Sequence, residues 1–218
     1  ICVLATLIAL KLGLDKERVH DIGVGCLLHD LGLRYMMIEY EDQDIETLSN
    51  KELVEYKKHP VLGYSALKDE KWISDLSKLI ILQHHERLDG MGYPLKFKQF
   101  PMEVSVVNIC DAFDEMICGI GYKRMKVYEA VEYLKTFRGV KFPANVVDAF
   151  LEFTAVYPAG SRVLLSNGAI AKVIRQNREF PDRPILQIIE DEKGKIVSEE
   201  RILDLIKVNH IFIEKALA

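Results

Sequence analysis

Apolar residues recur at three and four spacing from the start of the chain to about residue 156, after which the period shortens to two. The first stretch predicts a run of helices. Asp15 is placed to cap a helix carrying Val19, Ile22 and Leu27 and ending at Gly32. "SNKE" at 49 to 52 is a capping box for a short helix ending near His59, and Pro60 suits the first turn of the next. Ser74 can cap "DLSKLIILQHH", whose Leu76, Leu79, Ile80 and Gln83 face inward. "MEVSVVNICDAFDEMI", "MKVYEAVEYLKTF" and "ANVVDAFLEFTAV" predict three more helices. The opening "ICVLATLIAL" is apolar nearly all round and reads as a core helix entered midway, its natural start lying upstream of Ile1.

Past residue 158 the alternation predicts strands. Asn167-Gly168 between two apolar alternations marks a hairpin, "EDEKGK" marks a second turn, and the tail "KVNHIFIEKALA" is expected to close as a short helix. The expected fold is mainly α: a helical bundle over residues 1–157, followed by a small β-rich appendage over 158–218.

The bulk properties narrow the function classes. At 218 residues and 49% hydrophobic, the chain can bury one substantial core and a small second one. A net charge of −4 argues against binding a nucleic-acid polymer and leaves room for a small phosphorylated ligand. Lys11 ends the first apolar run far short of the ~20 residues that span a bilayer, and no basic region or cleavage site marks a signal peptide. Cys2, Cys26, Cys110 and Cys118 show no CxxC or framework spacing, so they read as thiols of a reducing compartment, and a cytoplasmic location is expected.

The chemistry sits on the helices. "LLHDLG" supplies His29 and Asp30, "KKHP" supplies His59, "LQHHE" supplies His84 and His85, and "NICDAFD" supplies Asp111 and Asp114. Adjacent imidazoles point about 100° apart on a helix and can meet one centre only near its frayed end. Singly, each residue is commonly a core histidine or a helix cap. Together, on apolar-flanked positions of separate helices, they would strand buried polar atoms unless a cation organised them. Mixed imidazole and carboxylate ligands without a thiolate favour iron or manganese, tolerate zinc and disfavour calcium. The ligands are too many for one ion. An Asp placed like Asp30 can bridge two ions roughly 3.5 to 4 Å apart with a hydroxide between them. His20 and His210 have no such company.

His29-Asp30, His59-Pro60, "HHERLDGMGYP" at 84 to 94 and "NICDAFD" resemble, over residues 1 to about 156, the HD-GYP family of cyclic dinucleotide phosphodiesterases, a branch of the HD superfamily. The resemblance implies His29, Asp30, His59, His84, His85 and Asp111 as ligands of two divalent metal ions, or three, with Asp30 bridging. It implies hydrolysis of cyclic di-GMP, or of cyclic GMP-AMP, in bacterial signalling. Gly90, Gly92, Tyr93 and Pro94 match the signature loop, where Tyr93 would shape the pocket or meet a protein partner such as a diguanylate cyclase; a homodimer is a further expectation.

Two departures stand out. Leu33 replaces a lysine that would approach the substrate phosphate, and Ile120 and Gly121 replace an Arg-Pro pair before the retained Tyr122 and Lys123. Lys123 is then the expected cation for the second phosphate, and Asp114 is expected to orient a base or a water. The family's upstream His, and the Glu of its three-metal members, would fall before Ile1, so the third ion is left open. The losses at 33 and 120 also make a rival expectation: a degenerate cyclic dinucleotide receptor, or a protein-interaction module, with little turnover. A different HD hydrolase acting on nucleotides is the third.

Overall fold

The structure, a computed structural model, describes residues 1–37, 47–119, 123–177 and 180–217. Ile120, Gly121 and Tyr122 lie outside them. The chain divides into two compact units, Ile1–Met125 with Ala130–Phe153, and Lys126–Glu129 with Thr154–Ala218.

The first unit is helical: α1 (Cys2–Lys11), α2 (Lys16–Leu28), a 3-10 turn (Leu31–Tyr35), α3 (Asn50–Tyr56), α4 (His59–Leu67), α5 (Asp75–Gln83), α6 (Met102–Cys118), most of α7 (Val127–Thr136) and α8 (Ala144–Phe153). Three of its helices, α2, α3 and α5, start on polar caps. Asp15 accepts from the Arg18 amide at 2.9 Å, Ser74 from Ser77 at 3.0 Å, and Ser49 and Glu52 form a reciprocal capping box. Ser49→Ala is therefore expected to cost about 1 kcal/mol in thermal unfolding, with metal content unchanged. Pro60 occupies the first turn of α4, where its missing N–H has no helical partner to lose.

The core of this unit gathers around α6, whose Val104, Val106, Val107, Ile109, Cys110 and Met116 are all buried. Ala5, Ile8 and Ala9 of α1 pack into it, while Val3 and Leu10 face outward, so α1 buries one side rather than its whole circumference. Leu27 is likewise a correction: α2 stops at Leu28, and Leu27 is exposed. The inward stripe runs through Ile22, Gly25 and Cys26 to His29, and Leu27 lies one position past it.

The second unit is one antiparallel sheet in the order β4-β3-β2-β1-β5, built from β1 (Arg162–Leu165), β2 (Ile170–Arg175), β3 (Ile185–Glu190), β4 (Ile202–Asp204) and β5 (Ile213–Ala216). Gly168 takes φ +88 in the β1–β2 turn, a backbone state open to glycine. Val163, Leu165, Ala171, Val173 and Leu186 form its core. The tail is a strand, not the expected helix. So short a helix is marginal on its own, whereas the free edge of β1 offers ladder bonds, and Val163 pairs with Ala216.

Candidate metal centre

Three histidines stand at helix ends. His29 is the C-cap of α2, His59 opens α4, and His84 is the C-cap of α5, with His85 just beyond. Leaving the helix is what lets two adjacent imidazoles turn to one point. In each of the three, Nδ1 donates to a backbone carbonyl three residues earlier: His29 to Cys26 at 2.8 Å, His59 to Tyr56 at 2.8 Å, His84 to Ile81 at 2.9 Å. That bond fixes the ring and the tautomer, so the neutral ring presents a lone pair on Nε2.

The Nε2 atoms converge. His59 Nε2 lies 3.1 Å from His84 Nε2 and 3.1 Å from His85 Nε2. Asp30 sits among them, with Oδ2 3.2 Å from His29 Nε2, and Oδ1 3.5 Å from His59 Nε2 and 3.6 Å from His84 Nε2. On α6, Asp111 Oδ1 is 3.2 Å from His29 Nε2, and Oδ2 is buried with no hydrogen-bond partner. Three groups can each hold a cation: Asp30 with His59, His84 and His85; His29 with Asp30 and Asp111; His85 with Asp111 and Glu115. Facing lone pairs at 3.1 Å and an orphaned carboxylate oxygen repel unless positive charge lies between them, so this donor set fits divalent metal.

The electrostatics agree with that fit. Burial, with His84 adding to it, holds His59 down to about 3, and burial holds His85 well below the usual histidine range. Both rings are thus neutral and ligand-ready at pH 7. Burial also opposes charge on His29, but hydrogen bonds to Asp111 and Asp30 overcome it and raise this ring well above the usual range, so a cation binding here would displace the Nε2 proton. Burial likewise opposes ionisation of Asp30, yet the His29 and His84 rings beside it hold its carboxyl far below the carboxylate range. Glu115 is pushed well above that range, by burial first and then by the charges of Asp111 and Asp30.

The signature loop is built on Glu86. This buried carboxylate accepts the amides of Leu95 at 2.6 Å, Lys96 at 3.1 Å and Phe97 at 2.9 Å, while Asn108 holds the Glu86 carbonyl at 2.6 Å. Asp89 pairs with Arg87 and accepts from the Met91 amide. Gly92 is required by close approach: a Cβ there would lie 2.5 Å from the His85 carbonyl oxygen. The wrap lays Tyr93 on His85, ring centroids 4.5 Å apart and planes 24° apart. Glu86→Gln should unpair amides at 95 to 97 and destabilise the fold by about 3 kcal/mol, seen as a lower Tm and faster amide exchange there. A cavity of about 370 Å³ opens beside His84, His85 and Glu115, with Tyr93 on its wall.

The HD domain family matches residues 1–146, and a KOW domain associated with HD domains matches residues 162–218. The chain belongs to the HD domain family. The "HHERLDGMGYP" signature and the relatives place this HD domain in the HD-GYP branch. A cyclic di-GMP phosphodiesterase of Pseudomonas aeruginosa is 27% identical over 208 residues, 94% of this chain and 50% of that protein. A cyclic di-GMP phosphodiesterase response regulator of Xanthomonas campestris is 35% identical over 154 residues, 67% of this chain and 40% of that protein. Among solved structures, an HDG"Y"P protein of Bdellovibrio bacteriovorus superimposes with a TM-score of 0.60 at 26% identity, covering 68% of this chain and 48% of that one. The chain thus spans about half the length of the relatives it matches.

Within this HD domain the structure brings His29, Asp30, His59, His84, His85 and Asp111 together and adds Glu115. Asp114 is half-buried, bonds the Cys118 thiol and belongs to none of the three groups. Lys123 is exposed and does not line the cavity, and Tyr122 lies outside the described residues. Glu115 had one sequence signal, its i+4 spacing from Asp111. Among the described residues, no helix is long and apolar enough to cross a membrane.

Proposed function

We propose that this chain hydrolyses a cyclic dinucleotide, cyclic di-GMP foremost, at a centre of two divalent ions, iron or manganese, held by residues 1–157. The observation that carries the reading is Asp30: among the described residues it alone belongs to both the His59–His84–His85 group and the His29–Asp111 group, as a bridging carboxylate must. The names of the relatives support the substrate class. Bound ions would activate water and neutralise charge on a phosphate.

The chain's own residues supply the rest. The Nδ1 bonds of His29, His59 and His84 pre-orient their rings, so little reorganisation accompanies binding. Glu115, held by the Tyr56 hydroxyl at 3.1 Å, offers a ligand with His85 and Asp111 for a further ion. Tyr93 closes one side of the cavity and offers a face for a purine. The sheet unit, with no ligand group among its described residues, serves outside catalysis, and the exposed Met91 at the loop tip offers a contact for a protein partner. The four free thiols suit the cytoplasm.

Leu33 favours a second reading, a receptor with little turnover, because an apolar side chain follows Asp30 one turn on, where the family resemblance leads one to expect a cation. Product analysis of cyclic di-GMP incubated with anaerobically prepared, manganese-loaded protein separates the two. The enzyme reading expects linear dinucleotide or mononucleotide. Tight binding without product would favour the receptor.

A further inference from the structure

The cavity beside the metal-ligand cluster carries two lysines that the reading above leaves without a task. Lys57, the C-cap of α3, is half-buried on its wall, with Nζ 5.5 Å from the centroid of the Tyr93 ring. No acidic side chain pairs with it among the described residues, whereas its neighbour Lys58 pairs with Glu55 at 2.7 Å. Lys141 stands on the same cavity, half-buried, with Nζ 4.6 Å from the Tyr133 ring centroid and 3.5 Å from that of Phe137.

Among the described residues, the acids on this wall are already engaged. Glu86 is committed to three backbone amides, and Glu115 to the Tyr56 hydroxyl beside the metal ligands. The third cation of the wall, Arg87, is paired with Asp89. That leaves Lys57 with no acidic partner among the described residues, beside Lys141, which donates to the Tyr133 hydroxyl; both lie among aromatic rings, a surface for an anion attached to flat ring systems.

A cyclic dinucleotide carries two phosphates, and a metal centre at His84 and His85 can neutralise only the one that reacts. The other must enter the cavity, where an uncompensated charge is costly. We infer that Lys57, with Lys141, holds the second, non-reacting phosphate of the cyclic dinucleotide. The inference rests on the function proposed above and adds the residues that recognise the substrate's far half. It moves that contact from Lys123 to the two lysines on the cavity wall.

Binding energy drawn from a non-reacting group shows in kcat/KM and KM for the substrate that has the group, and is absent from a substrate that lacks it. The probes are cyclic di-GMP, with two phosphates, and bis(p-nitrophenyl) phosphate, with one. Lys57→Met and Lys141→Met keep the aliphatic stems that pack on the rings, and thermal unfolding and metal content verify each variant. Lys57→Met should lower kcat/KM for cyclic di-GMP tenfold or more, chiefly through KM. That loss should exceed the loss on bis(p-nitrophenyl) phosphate at least fivefold. The double variant should lose more, and Lys57→Arg should recover part. Calorimetry of cyclic di-GMP with chelator-treated protein should show the same tenfold weakening.

Equal losses on both substrates, or unchanged affinity for cyclic di-GMP in Lys57→Met, would overturn the lysine assignment while leaving the proposed function standing. A wild-type protein that neither binds nor hydrolyses cyclic di-GMP while cleaving bis(p-nitrophenyl) phosphate would overturn the proposed substrate, and the inference with it.

Discussion

Asp30→Ala should remove at least one metal ion per chain and lower turnover of cyclic di-GMP by about 10³-fold or more. The expectation follows from position. One carboxylate oxygen of Asp30 lies 3.2 Å from His29 Nε2 and the other 3.5 Å from His59 Nε2, so removing it takes a ligand from two sites at once. His29 retains Asp111 at 3.2 Å, which explains why one ion need not follow the other. Asp30→Asn keeps the shape but removes the charge that a bridge between two cations needs, and its metal content should fall between the two. Elemental analysis per chain and chromatography of the products read both effects. Full metal retention in Asp30→Ala would place the bridge elsewhere.

Gly32→Ala should be the most damaging single methyl in the helical unit. A Cβ at Gly32 would lie 1.9 Å from the His59 carbonyl oxygen and 2.9 Å from the Gly63 amide nitrogen, both backbone atoms that no rotamer change can move. The 3-10 turn and α4 must then separate, which costs roughly 3 kcal/mol or more and draws Asp30 away from His59. A Tm lowered by several degrees together with reduced metal content is the expected pair of readouts. Gly13→Ala is the control: φ is +77, with open space around it, so only backbone strain of about 1 kcal/mol applies. If Gly32→Ala melts like Gly13→Ala and binds metal like wild type, the close packing of the turn on α4 does not position the site.

The parts of this molecule that were legible in the sequence are those whose cause is local. Asp15, Ser49 and Ser74 cap helices because their acceptors reach amides three residues on, and the Asn167-Gly168 turn needs only its own φ. The convergence of His29, Asp30, His59, His84, His85 and Asp111 was legible because buried imidazoles and carboxylates are rare without a partner. That Glu115 joins this cluster while Asp114 stays outside it was not. At 100° per residue, positions three and four after Asp111 lie about 60° and 40° to either side of it, and packing against Tyr56 decides which one turns inward. Leu27 fails for a similar reason, one position beyond the stripe that ends at His29. The strand at Ile213–Ala216 depends on an open edge at β1, about fifty residues earlier in the chain, and the cavity lysines depend on where α3 ends relative to Tyr93. Neither is written in local periodicity.

If Asp30 joins two ions into one hydrolytic centre, an anaerobic manganese titration followed by cyclic di-GMP turnover will show it. Turnover should stay low through the first equivalent of metal per chain and rise with the second, and in Asp30→Ala a second equivalent should restore nothing. Full turnover at one equivalent, or turnover unchanged by exhaustive chelation, would contradict it.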